Sequence, residues 1–253
     1  MTEEAREVIF NLPDLRELSV VIERDTSLPL VALPNLTNLI IEYDHDSDWL
    51  QGFHGATLGK LVSVDFCPES ALIGNFLEAF ETVALTTSIP ATLSSFRFHT
   101  PHSWRPNYRS LLPFTHLKHL IIDFLCERGC SSTVDDDIIT DIAQAMPGLE
   151  ILRLGVAPCQ TPTGVTTKGL TALAYHCLHL STLRIHFQVT SHDLLVIPRI
   201  APGGEPTIPR EDCALTDLEV GKIPVTEESM LVVASTLLRL FPHISRIMPF
   251  KKG

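Results

Sequence analysis

Three arginines, Arg97, Arg153 and Arg184, occupy the fifth position of three short apolar motifs, LSSFRF, LEILRL and LSTLRI. His99 and His186 follow two of them at the seventh position, and His119 takes the third position of a further motif, LKHLII. A guanidinium is planar and always charged, and it presents paired donors that match a carboxylate or a phosphate. If the motifs are neighbouring strands, the six side chains Arg97, His99, His119, Arg153, Arg184 and His186 fall on one face. There they form a basic stripe suited to an acidic or phosphorylated peptide. Glu17, Glu42, Asp65, Asp217 and Glu219 take equivalent positions on the flanking motifs. The plainer reading of the same residues is a solvated sheet face whose charges pair across adjacent strands.

Other groupings carry less chemistry. Cys126 and Cys130 have metal-ligand spacing, but no second Cys or His pair completes a zinc set. His45, Asp46 and Asp48 read as a polar turn. His176-Cys177 has the residue types of a nucleophile pair, yet Cys177 falls in a slot expected to be buried, where a thiol behaves as a small hydrophobe. The triplet Asp135, Asp136 and Asp137 precedes a helical pattern and suits the positive end of the helix dipole, with no cation required. The chain contains no G-x-G-x-x-G, P-loop, G-x-S-x-G or H-E-x-x-H motif. No catalytic residue, metal ligand or cofactor is therefore assigned, and the chain is read as a non-enzyme.

The elements that position these residues repeat along the chain. The pattern L-x-x-L-x-L starts at Leu15, Leu36, Leu61, Leu93, Leu117, Leu149, Leu180 and Leu215, and a ninth copy starts at Ile244. Side chains alternate along a strand, so the second and third apolar residues point to one face and the intervening residues to the other. In eight copies all three inward positions are apolar; the ninth has Pro249 at the third, which marks it as an edge. Copies are spaced by 21 to 35 residues, so the connecting segments differ in length. Leu12-Pro13, Leu33-Pro34, Met146-Pro147 and Phe241-Pro242 come just before four of the copies, where proline ends the preceding segment.

Helical periodicity is read over 69–86, Ser132–Met146, Thr166–His176 and Thr226–Leu240, and a helix end over 2–11. Segments 43–57, 99–113 and 198–212 read as loops. The fold class expected is α/β: one curved, horseshoe-like parallel sheet of about nine short strands, with helices and loops on its convex side, forming a single domain over 1–253.

Composition narrows the function. The apolar fraction of 45% supplies a continuous core, and the net charge of −11 argues against binding nucleic acid or an anionic membrane through bulk charge. No apolar run approaches the roughly 20 residues of a membrane span, and MTEEAREVIF has no signal-peptide pattern. Six cysteines without an export signal point to reduced thiols in the cytoplasm or nucleus.

The segment from Thr166 to Cys177, TTKGLTALAYHC with Thr166 first, is followed by Leu180, Leu183 and Ile185. It resembles the cysteine-containing leucine-rich repeat of F-box proteins, and the long, proline-rich repeats look like fungal members. The Asn or Cys that usually follows the strand is replaced by residues such as Glu23, Asp44, Glu69 and Gln188, so the repeat is an irregular one. The resemblance implies a binding scaffold: the substrate-recognition region of an F-box-type ubiquitin-ligase receptor. Its ligase adaptor would be contacted through a segment outside this chain, upstream of Met1, so the chain is expected to be the C-terminal part of a longer protein. The alternative is a leucine-rich-repeat scaffold or GTPase-regulator-like protein with no ubiquitin link.

Overall fold

The structure is a computed structural model, and it describes residues 12–22, 33–43, 58–68, 76–85, 89–100, 106–124, 134–155, 164–188, 212–220 and 227–249. The chain divides into two compact units, Met1–Glu127 and Arg128–Gly253.

The first unit holds five strands: β1 Glu17–Ile22, β2 Asn38–Tyr43, β3 Ser63–Pro68, β4 Ser95–Thr100 and β5 His119–Phe124. They lie side by side in chain order, and every pairing is parallel. The second unit holds β6 Ile151–Leu154, β7 Thr182–Ile185, β8 Asp217–Val220 and β9 Arg246–Pro249, again in chain order and parallel. All nine motif copies are thus strands, and the protein is α/β. The register keeps like positions together. Leu18 lies beside Leu39, then Val64, Phe96 and Leu120; in the second unit Leu152 lies beside Leu183, Leu218 and Ile247. The apolar ladder fixes this register, because a slip of one residue would turn every inward side chain to water.

A tight turn introduces the strands. Leu36 N–H donates to the Leu33 carbonyl at 3.1 Å, and the same bond recurs from Leu61 to Leu58, Leu117 to Phe114, Leu149 to Met146, Leu180 to Cys177 and Ile244 to Phe241. Proline suits the second residue of such a turn, which accounts for Pro34, Pro147 and Pro242. The accepting residue is buried in each case. Cys177 is one of them, so its burial follows from the repeat.

The segments that connect the strands differ between the units. The first has α1 Phe76–Leu85, a four-residue helix α2 Ile89–Thr92 that is too short to show a sequence periodicity, and a 3₁₀ turn at Tyr108–Leu111. That turn corrects the reading of 99–113 as a loop: β4 extends to Thr100, and the turn buries Tyr108, Ser110 and Leu111. A 3₁₀ turn eclipses side chains three apart, which puts Tyr108 and Leu111 on one buried side. The second unit has α3 Asp136–Ala145, α4 Thr167–His176 and α5 Glu227–Leu240. Helix α3 starts four residues later than expected because Asp135 is its extended N-cap, accepting from Ile138 N–H at 2.9 Å. The helix end expected over 2–11 and the segments 44–57, 69–75, 101–105 and 198–211 lie outside the described residues. No helix among the described residues is long and apolar enough to cross a membrane.

Burial follows the motif in the inner repeats and relaxes at the last. Leu61, Val64, Phe66, Leu149, Leu152, Leu154, Leu180 and Leu183 are all buried, whereas Ile247 of β9 is 50% exposed.

Candidate functional site

The six basic candidates stand on the strand face opposite the core, three in each unit. In the first unit Arg97 and His99 lie on β4 and His119 begins β5. Register places Arg97 between Asp65 of β3 and Ile121 of β5. Arg97 is exposed, whereas Ile121 is buried although it occupies a position read as solvent-facing. His99 lies between two carboxylates: its Nε2 is 3.8 Å from Asp65 and its Nδ1 is 3.6 Å from Asp123. Here cross-strand compensation, the plainer reading of the sequence, describes the geometry. Further out, Asn38 donates to Glu17 at 3.0 Å. The Cys67 thiol on the same face is pushed up to about 12 by burial first and then by Asp65 and Glu42, so it is no nucleophile at neutral pH.

The second unit differs. Arg153 on β6 is the register neighbour of Arg184 on β7, and Arg184 is the neighbour of Glu219 on β8. Arg184 Nε is 3.6 Å from Glu219, with both side chains about four-fifths buried at 17% and 20% exposure. Arg153 is half-buried, and its Nε is buried without a hydrogen-bond partner. Two motif positions earlier the charges balance: Arg246 Nε donates to Asp217 Oδ1, and that bond holds the Asp217 carboxyl below its ordinary range. His186 follows β7, facing Gly155, whose φ of +100° is a conformation that favours glycine. A Cβ at Gly155 would stand 4.0 Å from the His186 ring.

The triple aspartate divides its labour. Asp135 caps its own helix. Asp136 reaches the next repeat: Oδ1 accepts from Thr166 N–H and Gly169 N–H, both at 2.8 Å, and Oδ2 accepts from the Thr166 hydroxyl at 2.6 Å. It satisfies otherwise orphaned donors at the start of α4. A side chain at Gly169 would meet Asp136 Oδ1 at 2.7 Å, which explains the glycine of the G-L-x-x-L-A segment. Asp137 pairs with Lys168 at 3.0 Å on the surface. Among the described residues, no group of three or more His, Cys, Asp or Glu side chains is arranged to hold a metal ion.

His176 and Cys177 are not a catalytic pair. The His176 ring stands edge-on to Tyr175, while the Cys177 thiol points to the carbonyls of Ala143 and Met146 at 3.8 and 3.7 Å. Burial first, then Cys213, pushes that thiol up to about 12. Cys126, Cys130, His45, Asp46 and Asp48 lie outside the described residues.

Sequence reading missed a hydroxyl ladder at the second motif position. Thr37 Oγ1 donates to the Arg16 carbonyl at 2.9 Å, Ser94 to Val62 at 3.3 Å, Ser181 to Glu150 at 3.0 Å, Thr216 to Ser181 at 3.3 Å and Ser245 to Thr216 at 3.3 Å. The recurring Leu-Ser and Leu-Thr pairs were the available signal. No protein-family model matches the chain, and no curated protein matches it.

Proposed function

We propose that the chain is an irregular leucine-rich-repeat solenoid that acts as a protein-interaction module and binds an acidic or phosphorylated partner on the strand face opposite its core. The reading is supported above all by the arginines: Arg153 and Arg184 stand side by side on that face with one carboxylate, Glu219, beside them. Parallel strands in chain order, with one constant register and variable outer segments, are the expected geometry of such repeats. By its resemblance to F-box proteins, the module would recruit substrates to a ubiquitin ligase in the cytoplasm or nucleus. A segment outside this chain would contact the ligase adaptor. The binding work is positioning, and no cofactor enters it.

The test is affinity capture of the endogenous protein with mass spectrometry, followed by capture with R153S/R184S and R97S variants. A cullin-type ligase and its adaptor should co-purify, and R153S/R184S should lose the acidic partner while its circular dichroism stays native. Capture without ligase components would leave a scaffold or regulator instead. Undiminished partner capture by R153S/R184S would overturn the assignment of the binding face.

A further inference from the structure

We infer that Arg153 and Arg184 form a seat for one phosphoryl group, and that Glu219 is an internal counter-ion that weakens the hold on it. The inference rests on the proposed binding role of this strand face and names the chemistry that the second unit would read.

The row Arg153–Arg184–Glu219 runs across β6, β7 and β8 and carries two positive charges and one negative. The neighbouring row closes its own charges through Asp217 and Arg246. One half-buried positive charge is therefore uncompensated within these two rows. It falls at Arg153, whose Nε is buried and unbonded. A donor on a cation removed from water without an acceptor is costly, and an arriving oxyanion converts that cost into a charge-assisted hydrogen bond. Two guanidinium groups rooted one strand spacing apart, about 4.8 Å, offer donors along a span that three phosphoryl oxygens cover better than two carboxylate oxygens. Glu219, 3.6 Å from Arg184 Nε, competes for the same guanidinium. Beyond Arg153 the strand ends at Leu154, and at the following Gly155 a Cβ would stand 4.0 Å from the His186 ring.

The experiment is a titration of inorganic phosphate, and separately of acetate, into the whole chain, read by NMR of the arginine Nε–H resonances. The Arg153 resonance should shift saturably with phosphate, and acetate should bind at least several-fold more weakly. R153Q should weaken phosphate binding about tenfold, the loss expected when one charge-assisted contact worth about 1.4 kcal/mol is removed. E219Q should tighten it about threefold or more, a gain that misfolding cannot produce, and K60Q, at an exposed lysine in the turn before β3, should leave it unchanged. No saturable shift, equal binding of acetate, an equal loss in K60Q, or weaker binding in E219Q would each overturn the seat. If phosphate fails to bind while R153S/R184S still loses its partner, the interaction role stands and the seat falls. If phosphate binds as expected while capture is undiminished, the seat stands and the proposed role falls.

Discussion

The two units pack the segments that connect their strands by different means. In the first, aromatic volume does it: the Phe80 ring lies 5.5 Å from Phe66, 5.4 Å from Phe96 and 5.4 Å from Phe114, and Phe76 lies 5.0 Å from Phe98. In the second, helices succeed one another and Asp136 ties α3 to the start of α4 with three hydrogen bonds. The strand faces differ in parallel. His99 sits among carboxylates in the first unit, whereas Arg153 and Arg184 outweigh Glu219 in the second. The irregular segments of the first unit meet through non-directional apolar contact, joined at the surface by Asn107, which donates to Glu78 of α1 at 3.1 Å. Regular helices present their backbone ends at a constant place, so a single carboxylate can serve the next repeat.

The largest effect that probes this contrast is Phe80→Ala. Removing a fully buried phenyl ring should cost about 3–5 kcal/mol, from lost transfer energy and the cavity left behind. Urea unfolding measures the loss, and hydrogen exchange should place it first in amides of the first unit. A uniform loss of protection through both units would break the comparison, since it would mean that they unfold together.

Asp136→Ala comes next. A carboxylate accepting three short bonds leaves two backbone donors and a hydroxyl unsatisfied when removed, for about 1.5–3 kcal/mol. The loss should appear in amides of α3 and α4. Asp135→Ala removes one N-cap bond and should cost about 1 kcal/mol. If the two variants were equal, Asp136 would be only another cap and the inter-repeat tie would be wrong.

The strands were legible because one pattern recurs with inward residues at fixed offsets, and burial enforces it. The arginine register was legible for the same reason: equal motif positions become cross-strand neighbours. The use of Asp136 was not legible, because its partners Thr166 and Gly169 lie about thirty residues on and a local reading sees only charge at a helix start. The approach of His99 to Asp123 was legible, since both take the seventh motif position, but its approach to Asp65 at the fifth was not, because it depends on how the ring is turned between β3 and β5. The 3₁₀ turn at Tyr108–Leu111 hid among Pro101, Pro106 and Pro113, since a proline marks a break in periodicity without specifying the conformation beyond the break.

A smaller effect reads the buried thiol of the second unit by pH. Cys177 has a folded pKa near 12 against an ordinary 9.0. Between those values the unfolded chain has lost the proton that the folded chain keeps, so stability falls as pH rises above about 9, by up to about 1.4 kcal/mol per pH unit for one thiol. Urea midpoints at pH 8 and 10 should show the fall, and C177S should show less of it. An identical slope in C177S would mean that the thiol ionises equally well folded and unfolded.

The smallest effect belongs to Asp137. It stands beside Asp136, pairs with Lys168 at 3.0 Å, and raises the Lys168 ammonium above its ordinary range through that hydrogen bond. The pair is 69% and 72% exposed, so water and salt screen it, and the rotamer freedom of both side chains is lost in forming it. Asp137→Asn should therefore leave the urea midpoint unchanged within error at 0.15 M salt or above. The comparison with Asp136→Ala isolates what burial and direct bonding add, because both substitutions remove one negative charge from the same first turn of α3. If Asp137→Asn destabilised the protein as much as Asp136→Ala, the link between the two helices would be the helix-dipole charge at that turn, and the hydrogen bonds to Thr166 and Gly169 would be incidental to it.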